Sequence, residues 1–314
     1  MTQATGALAE LLFEFETTWG SDPASPDALS LPFNSCDIAG SQAKNTAQTI
    51  TGNRNPVRPF GGNIDAAGSI VVPVDYSAMW YWLKLMFGDP TTTGTGPYTH
   101  TFTIGDSMPS AVIEKHFDDI NTFMHYNGMM AQSFAVSFGG DGELTMTINV
   151  AGKSETLPTS VYDATPTSVS LGRLNNFDAA FTEGGTPNNI CATQVDINVD
   201  FGLDLESRCI GGSGYRNAIP VGIVGVSGTL TGLYEDDTIV DKGAAGTESS
   251  LDITLTSGTN SLAFYIDELE YERVTVPIPG PQGLLQTANF QGYYDDDADA
   301  SAIRVVLIND DAHA

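Results

Sequence analysis

The stretch NGMMAQSFAVSFGGDGELTMTINVAGKS, residues 127–154, restricts the possible folds more than any other part of the chain. Met130, Phe134, Val136 and Phe138 share one parity in the first half, and Leu144, Met146, Ile148 and Val150 keep the same parity in the second. Between them stand Ser133, Ala135, Ser137, Glu143, Thr145, Thr147 and Asn149. Side chains of a strand alternate between its two faces. The segment therefore predicts a β-hairpin with one apolar face and one face of short polar groups. The run Gly139-Gly140-Asp141-Gly142 between the two halves is a glycine-rich hairpin connection.

The same pattern recurs further along. In QVDINVDFGLDLE, Val195, Ile197, Val199, Phe201, Leu203 and Leu205 alternate with Asp196, Asn198, Asp200 and Asp204. The partner expected for this strand is VGVSGTLTGLYEDD, residues 224–237, where Ser227, Thr229 and Thr231 share a parity. Strand patterns also mark residues 69–74, 98–104, 109–119, 250–257, 261–274 and 303–310. The one strong helix signal is YSAMWYWLKLMF, residues 76–87, with Asp75 as its cap and Gly88 before Asp89-Pro90 as its stop. This helix is apolar nearly all round, with Lys84 its only charge, so it predicts burial on most sides. No strand–helix–strand alternation appears. The expected fold is mainly β: an antiparallel β-sandwich or barrel with one flanking α-helix.

Four segments follow from these signals. Residues 1–62, rich in Pro, Gly, Asn and Ser, form an N-terminal arm with loops. Residues 63–154 are the first half of the sandwich, with the helix and the first hairpin. Residues 155–190 are a connecting or inserted segment. Residues 191–314 are the second half, with the second hairpin and the C-terminal strands. An arm this long packs on something, and a neighbouring subunit is the obvious candidate.

Charge narrows the function classes. The 314 residues carry 39 acidic and 12 basic side chains, a net charge of −27. A phosphate-binding surface needs clustered Lys and Arg, so this balance argues against nucleic-acid recognition. The three cysteines, Cys36, Cys191 and Cys209, have no metal spacing and read as buried or idle thiols of a reducing compartment. The beginning MTQATGALAE has no features of a secretion signal, and no apolar run is long enough to span a bilayer. The expectation is a protein made and folded in a cytoplasm.

Catalytic and metal motifs are missing from the sequence. His100 and His116 fall in separate strands, His313 lies in a charged tail, and no HExxH, CxxC or GxSxG occurs. GGDG and GGSG are turn glycines, since neither leads into a helix with a following Lys. Asp295, Asp297 and Asp299 alternate like the start of a calcium loop, but Ala300 stands where Gly is needed and Val306 where Glu is needed. That run reads as a solvated loop. The reading is a non-enzyme without a cofactor.

The order of these features resembles the major tail tube proteins of long-tailed bacteriophages. EFETTWGS opens the series, followed by a long arm, GSIVVPVDY leading into the apolar helix and GDP, and YTHTFTI before MPSAVIEKHF. The hairpin YNGMMAQSFAVSFGGDGELTMTINVAGKS, then VGVSGTLTGLYEDD, and the closing NFQGYYDDDADASAIRVVLIND complete it. The chain is longer than compact tube proteins, and residues 155–190 have no counterpart in that pattern. The resemblance implies a virion protein of six-subunit rings stacked into a tube, each subunit adding two hairpins to an inner barrel through which DNA travels. It also implies assembly in the host cytoplasm, alongside tape-measure, tail terminator and tail-tip proteins.

Under that reading the lumen is lined by Ser133, Ser137, Glu143, Thr145, Thr147, Asn149, Asp196, Asn198, Asp200 and Asp204, a wall without Lys or Arg. Lys44, Arg54 and Arg58 in the arm are the candidates for contacts between rings, against acidic loops such as 295–299 or 236–237. Competing expectations are a carbohydrate-binding or adhesive β-sandwich, with Tyr293 and Tyr294 as its aromatic platform, and an acidic β-sandwich hydrolase. A tube from a contractile tail or a secretion needle is a close variant of the first.

Overall fold

The computed structural model describes residues 3–187, 189–295, 297–298 and 300–313. In chain order the strands of the first half are β1 (Ala9–Phe15), β2 (Leu29–Ser30), β3 (Ser35–Cys36), β4 (Ala39–Asn45), β5 (Phe60–Pro73), β6 (Thr91–Thr93), β7 (Tyr98–Thr103), β8 (Ala111–Phe117), β9 (Thr122–Gly139) and β10 (Thr145–Gly152). The second half adds β11 (Ser154–Thr156), β12 (Thr167–Ser168), β13 (Ala180–Glu183), β14 (Thr186–Pro187), β15 (Ala192–Asp200), β16 (Gly225–Leu233), β17 (Ser249–Ser257), β18 (Asn260–Tyr271), β19 (Leu285–Gly292) and β20 (Arg304–Asn309). Two α-helices are α1 (Met79–Phe87) and α2 (Thr238–Ala245). The fold is mainly β, as the alternation predicts, and nearly every strand pair is antiparallel.

The strands make a front layer, a back layer and a side sheet. The front layer runs β4–β5–β10–β9–β15–β16–β19, with β3 beside β4 on the same edge of β5. The back layer runs β14–β13–β17–β18–β20–β7–β6. The last residues of β18 and β19 pair with each other and join the two layers. The side sheet runs β12–β2–β1–β8–β9–β11. It exists because β9 is long enough to serve twice: its first half pairs with β8 and β11, its second half with β10 and β15.

The core lies between the layers. Phe138 of β9 meets Phe264 of β18 at 5.3 Å between ring centroids. Helix α1 is wedged where all three groups of strands meet, which explains its lack of a polar face. Trp82 packs on Phe13 of the side sheet, Phe87 on Phe134 and Phe201 by the front layer, and Trp80 on His100 of the back layer. The helix is thus buried within its own chain. It begins later than the capping pattern predicts, because residues 76–78 form a turn first. Asp75 still accepts the amide hydrogens of Ser77 and Met79.

The first 62 residues divide into parts with different roles. β1 is a central strand of the side sheet, with Leu11, Leu12 and Phe13 buried. β4 and the start of β5 form an exposed hairpin that leaves the body. The described residues of the segment 155–190 form a strap across the body of the chain. The Tyr162 amide donates to Glu114, β12 pairs with β2, and β13 joins the back layer. His313, in the charged tail beside Asp311, stacks on Trp80 at 4.4 Å and 13°. Burial holds its imidazole down near a pKa of about 4.

Candidate functional site

The feature that stands out is the outward face of the front layer. Strand register places its residues in rows across the strands. One row is Asn149, Ser133 and Asp200, with Ser69 of β5 beside Asn149. The next is Thr147, Ala135, Asn198, Ser227 and Gln291. A third is Ser137, Asp196, Thr229 and Asn289. The two hairpins therefore form one continuous surface, with β9 and β15 as the seam between them. β5 and β19 extend it on either side. Those two flanks escape the hairpin argument, although the alternation of Thr287, Asn289 and Gln291 with Gln286, Ala288 and Phe290 carries the same signal.

Opposite parities point inward. Phe134, Val136, Phe138, Met146, Ile148 and Val150 are all buried, as are Val195, Ile197 and Val199. Gly228 sits on this inward face because the Phe290 ring occupies the space that a side chain would take, with a ring carbon 2.3 Å from the Cβ position. At the hairpin turn Gly139 has φ 105°, a region open to glycine, and Asn176 brackets it by accepting from its amide and donating to its carbonyl.

The outward groups are short and largely hydrogen-bonded to one another. Asn149 donates to Ser133 at 2.8 Å, and Gln194 donates to Asp196 at 2.9 Å. Thr229 meets Asn289 and Thr231 meets Thr287, each at 3.3 Å. No Lys or Arg stands anywhere in β5, β9, β10, β15, β16 or β19. Neither Asp196 nor Asp200 has an ion-pair partner among the described residues. The result is a weakly acidic sheet surface, indented beside Ser133, Asn198 and Ser227, that offers anions no cation.

Most residues singled out from the sequence fall on this face. Ser133, Ser137, Thr145, Thr147, Asn149, Asp196, Asn198 and Asp200 lie there in register. Glu143 sits at the rim, before β10 begins, where it accepts from Asn34 and pairs with Arg173. Asp204 lies off the sheet. β15 stops at Asp200, Gly202 turns the chain at φ 62°, and Asp204 instead caps a local turn by accepting from the Glu206 amide. Lys44 lies on β4, while Arg54 and Arg58 lie in the loop that joins β4 to β5, all exposed.

Other candidates are accounted for by packing. His100 sits in β7 and bonds Thr92 and the backbone oxygen of Asp311. Asp295 and Asp297 turn their amides onto the Glu268 carboxylate, and Asp299 lies outside the described residues. Tyr293 donates its hydroxyl to Glu248, while Tyr294 is half exposed. Cys36, Cys191 and Cys209 are free thiols, the last two exposed. No described helix is long and apolar enough to cross a membrane.

Fold and face together define a mainly β protein whose distinguishing feature is a broad polar sheet face. The chain matches the family model described as phage tail tube protein over residues 6–292, and so belongs to the phage tail tube protein family. No curated protein matches it. The family is structural, and its members are components of the virion tail.

Proposed function

We propose that six copies of this chain close into a ring, that rings stack into a tube, and that the outward face of the front layer lines the bore through which DNA passes to the host cell. The observation that carries this reading is the continuous, cation-free polar face built from two hairpins in register. β10, β9, β15 and β16 form the centre of this face and β5 and β19 its flanks, so neighbouring copies meet beyond the two hairpins. Short side chains leave the bore open.

The wall chemistry suits a conduit. Repulsion between the acidic wall and a phosphate backbone reaches about one Debye length, roughly 8 Å in physiological salt. A duplex near the axis is centred without being bound. Closing the ring also covers strand edges, such as the outer edge of β19 before residue 289, that in a lone subunit invite aggregation. Lys44, Arg54 and Arg58 contact the next ring, and the ends of the tube meet tape-measure, terminator and tail-tip proteins.

Negative-stain microscopy of the purified protein tests the reading. Hollow six-fold rings and tubes are the expected result, and compact monomers at all concentrations and salts refute it. A complementary test places a cysteine at Thr147 in a chain whose three native cysteines are replaced by serine. A bulky maleimide should label free subunits and fail to label assembled tubes at interior positions.

A further inference from the structure

β9 places His125 directly opposite Glu114 of β8, with Thr156 of β11 on its other side. Glu114 is fully buried and His125 is 5% exposed. Both ring nitrogens of His125 meet carboxylates. Nδ1 lies 3.2 Å from Glu114 Oε2, and Nε2 lies 2.8 Å from Asp22 Oδ1. A neutral imidazole carries a single N–H, and an ionised carboxylate only accepts. The site as built therefore holds one proton more than a neutral ring between two carboxylates has. The Asp22 side chain is half exposed, so water reaches the site from that side.

The partners of His125 come from separate parts of the chain. Asp22 belongs to the loop between β1 and β2. Glu114 carries the strap, accepting the Tyr162 amide at 2.9 Å. Tyr162 also lies against the His125 ring, 5.0 Å between centroids, and donates its hydroxyl to Glu14 of β1 at 2.9 Å. Loop and strap are tied to each other, because the Ala28 amide donates to Asp163 at 2.9 Å. Neither connection has a core of its own: no residue from 16 to 27 or from 156 to 170 is buried. Segments with so few buried contacts lie at the low end of local stability.

Charged and titratable groups reach this site from each neighbouring element. Glu114 comes from β8, Asp22 from the loop, Tyr162 and Asp163 from the strap, and Glu14 from β1. On β9 itself Asn127 donates to Asp22. Glu155 of β11 turns away to the Gly40 amide. Lys153 is engaged with the loop instead of the ring: its ammonium donates to the Gly20 carbonyl at 3.2 Å and lies over Trp19 at 5.3 Å. Burial lowers the His125 imidazolium, but hydrogen bonds to Glu114 and Asp22 outweigh it and raise it above the usual histidine value. A raised folded value means that the ring's hold is complete below the unfolded value of about 6.5 and is lost as pH rises through the folded one.

We propose that His125 is a proton-operated clamp that ties the loop 16–28 and the strap 157–165 to the side sheet and releases both when its proton is lost. With the proton in place, each ring nitrogen donates to a carboxylate. Without it, one nitrogen turns a lone pair toward a carboxylate, and the half-exposed Asp22 is the partner able to move into water. The loop leaves with Asp22, and the strap follows through the bond between Ala28 and Asp163. The device lies within one chain and does not depend on how copies assemble.

Hydrogen exchange of the full chain at about pH 6 and about pH 9, corrected for the intrinsic pH dependence of exchange, tests the clamp. Peptides from 16–28 and 157–165 should be protected at the lower pH and lose that protection at the higher one. Peptides from 130–150, in β9 and β10, should stay protected at both. E114Q and D22N are the deciding variants, because an amide in either place donates to the bare nitrogen of a neutral ring. Both should keep loop and strap protected at the higher pH, and D22N, on the half-exposed side, serves if E114Q does not fold. H125Q cannot donate to two carboxylates from opposite sides and should leave both segments unprotected at either pH. A histidine that only fills space would show no such pH dependence. Equal protection of the parent at both pH values, protected segments in H125Q, or a folded E114Q or D22N that still opens at the higher pH overturns the clamp.

Discussion

Lys242→Met is the most informative single substitution, because Lys242 neutralises the most deeply buried carboxylate network in the back layer. Glu183 is fully buried at the end of β13. It accepts from Lys242 at 2.7 Å and 2.9 Å, Ser249 at 2.6 Å, Asn189 at 2.7 Å and Tyr271 at 3.3 Å. Burial pushes the Glu183 carboxyl up, but hydrogen bonds from Lys242, Ser249 and Asn189 outweigh it and hold the carboxyl below the usual range. Removing the lysine leaves a buried charge without its cation, which costs about 3–5 kcal/mol. Unfolding entropy of about 2.1 cal/mol/K per residue turns this into a fall in Tm of about 5–8 °C. The pH dependence gives the stricter check. In the parent the depressed carboxyl adds stability above its unfolded pKa of about 4.3, lost as pH falls below it. In the variant burial dominates, the carboxyl rises, and stability is lost as pH climbs through the new value. The Tm gap between the two proteins should therefore shrink between pH 7 and pH 5 in differential scanning calorimetry. Glu183→Gln added to Lys242→Met should recover most of the loss. A gap that stays constant with pH, or a double variant no better than the single one, refutes this account of the network.

Two further outcomes are expected. Asp75 is buried beneath α1, and burial outweighs the amide bonds from Met79 and Ser77 to raise its carboxyl to about 6. A folded value above the unfolded one of about 3.9 means stability is lost as pH rises through 6, by up to about 3 kcal/mol at pH 7; Asp75→Asn should flatten that slope in urea titrations at pH 5 and pH 7. Asp196→Lys with Asn198→Lys replaces part of the polar face with cations; tubes of this variant should retain added duplex DNA, with retention falling steeply with salt, whereas parent tubes retain none in a filtration assay.

The sequence by itself determined the strand faces. Alternation is a local property, fixed by the geometry of an extended chain, so Phe134, Val136 and Phe138 go inward and Ser133, Ser137 and Asp196 outward wherever the strand ends up. The exclusion of cations from the polar face is likewise legible, because it is a statement about residue type. A second helix was legible but missed: Asp236 caps α2 at Thr238, and Gly246 ends it at φ 61°. Only the tertiary structure decided which strands are neighbours. That β9 and β15 form the seam, that β5 and β19 widen the surface, and that β1 belongs to a sheet are settled by pairings between distant segments. Strand ends are equally non-local. Alternation runs on to Leu205, yet the chain turns at Gly202, where φ is 62° and the Ile223 carbonyl fills the space a side chain would take. The placement of charge is the clearest case. Lys44, Arg54 and Arg58 and the run Glu235, Asp236 and Asp237 are plain in the sequence, but their separation to opposite ends of one sheet follows from register, which no local pattern records.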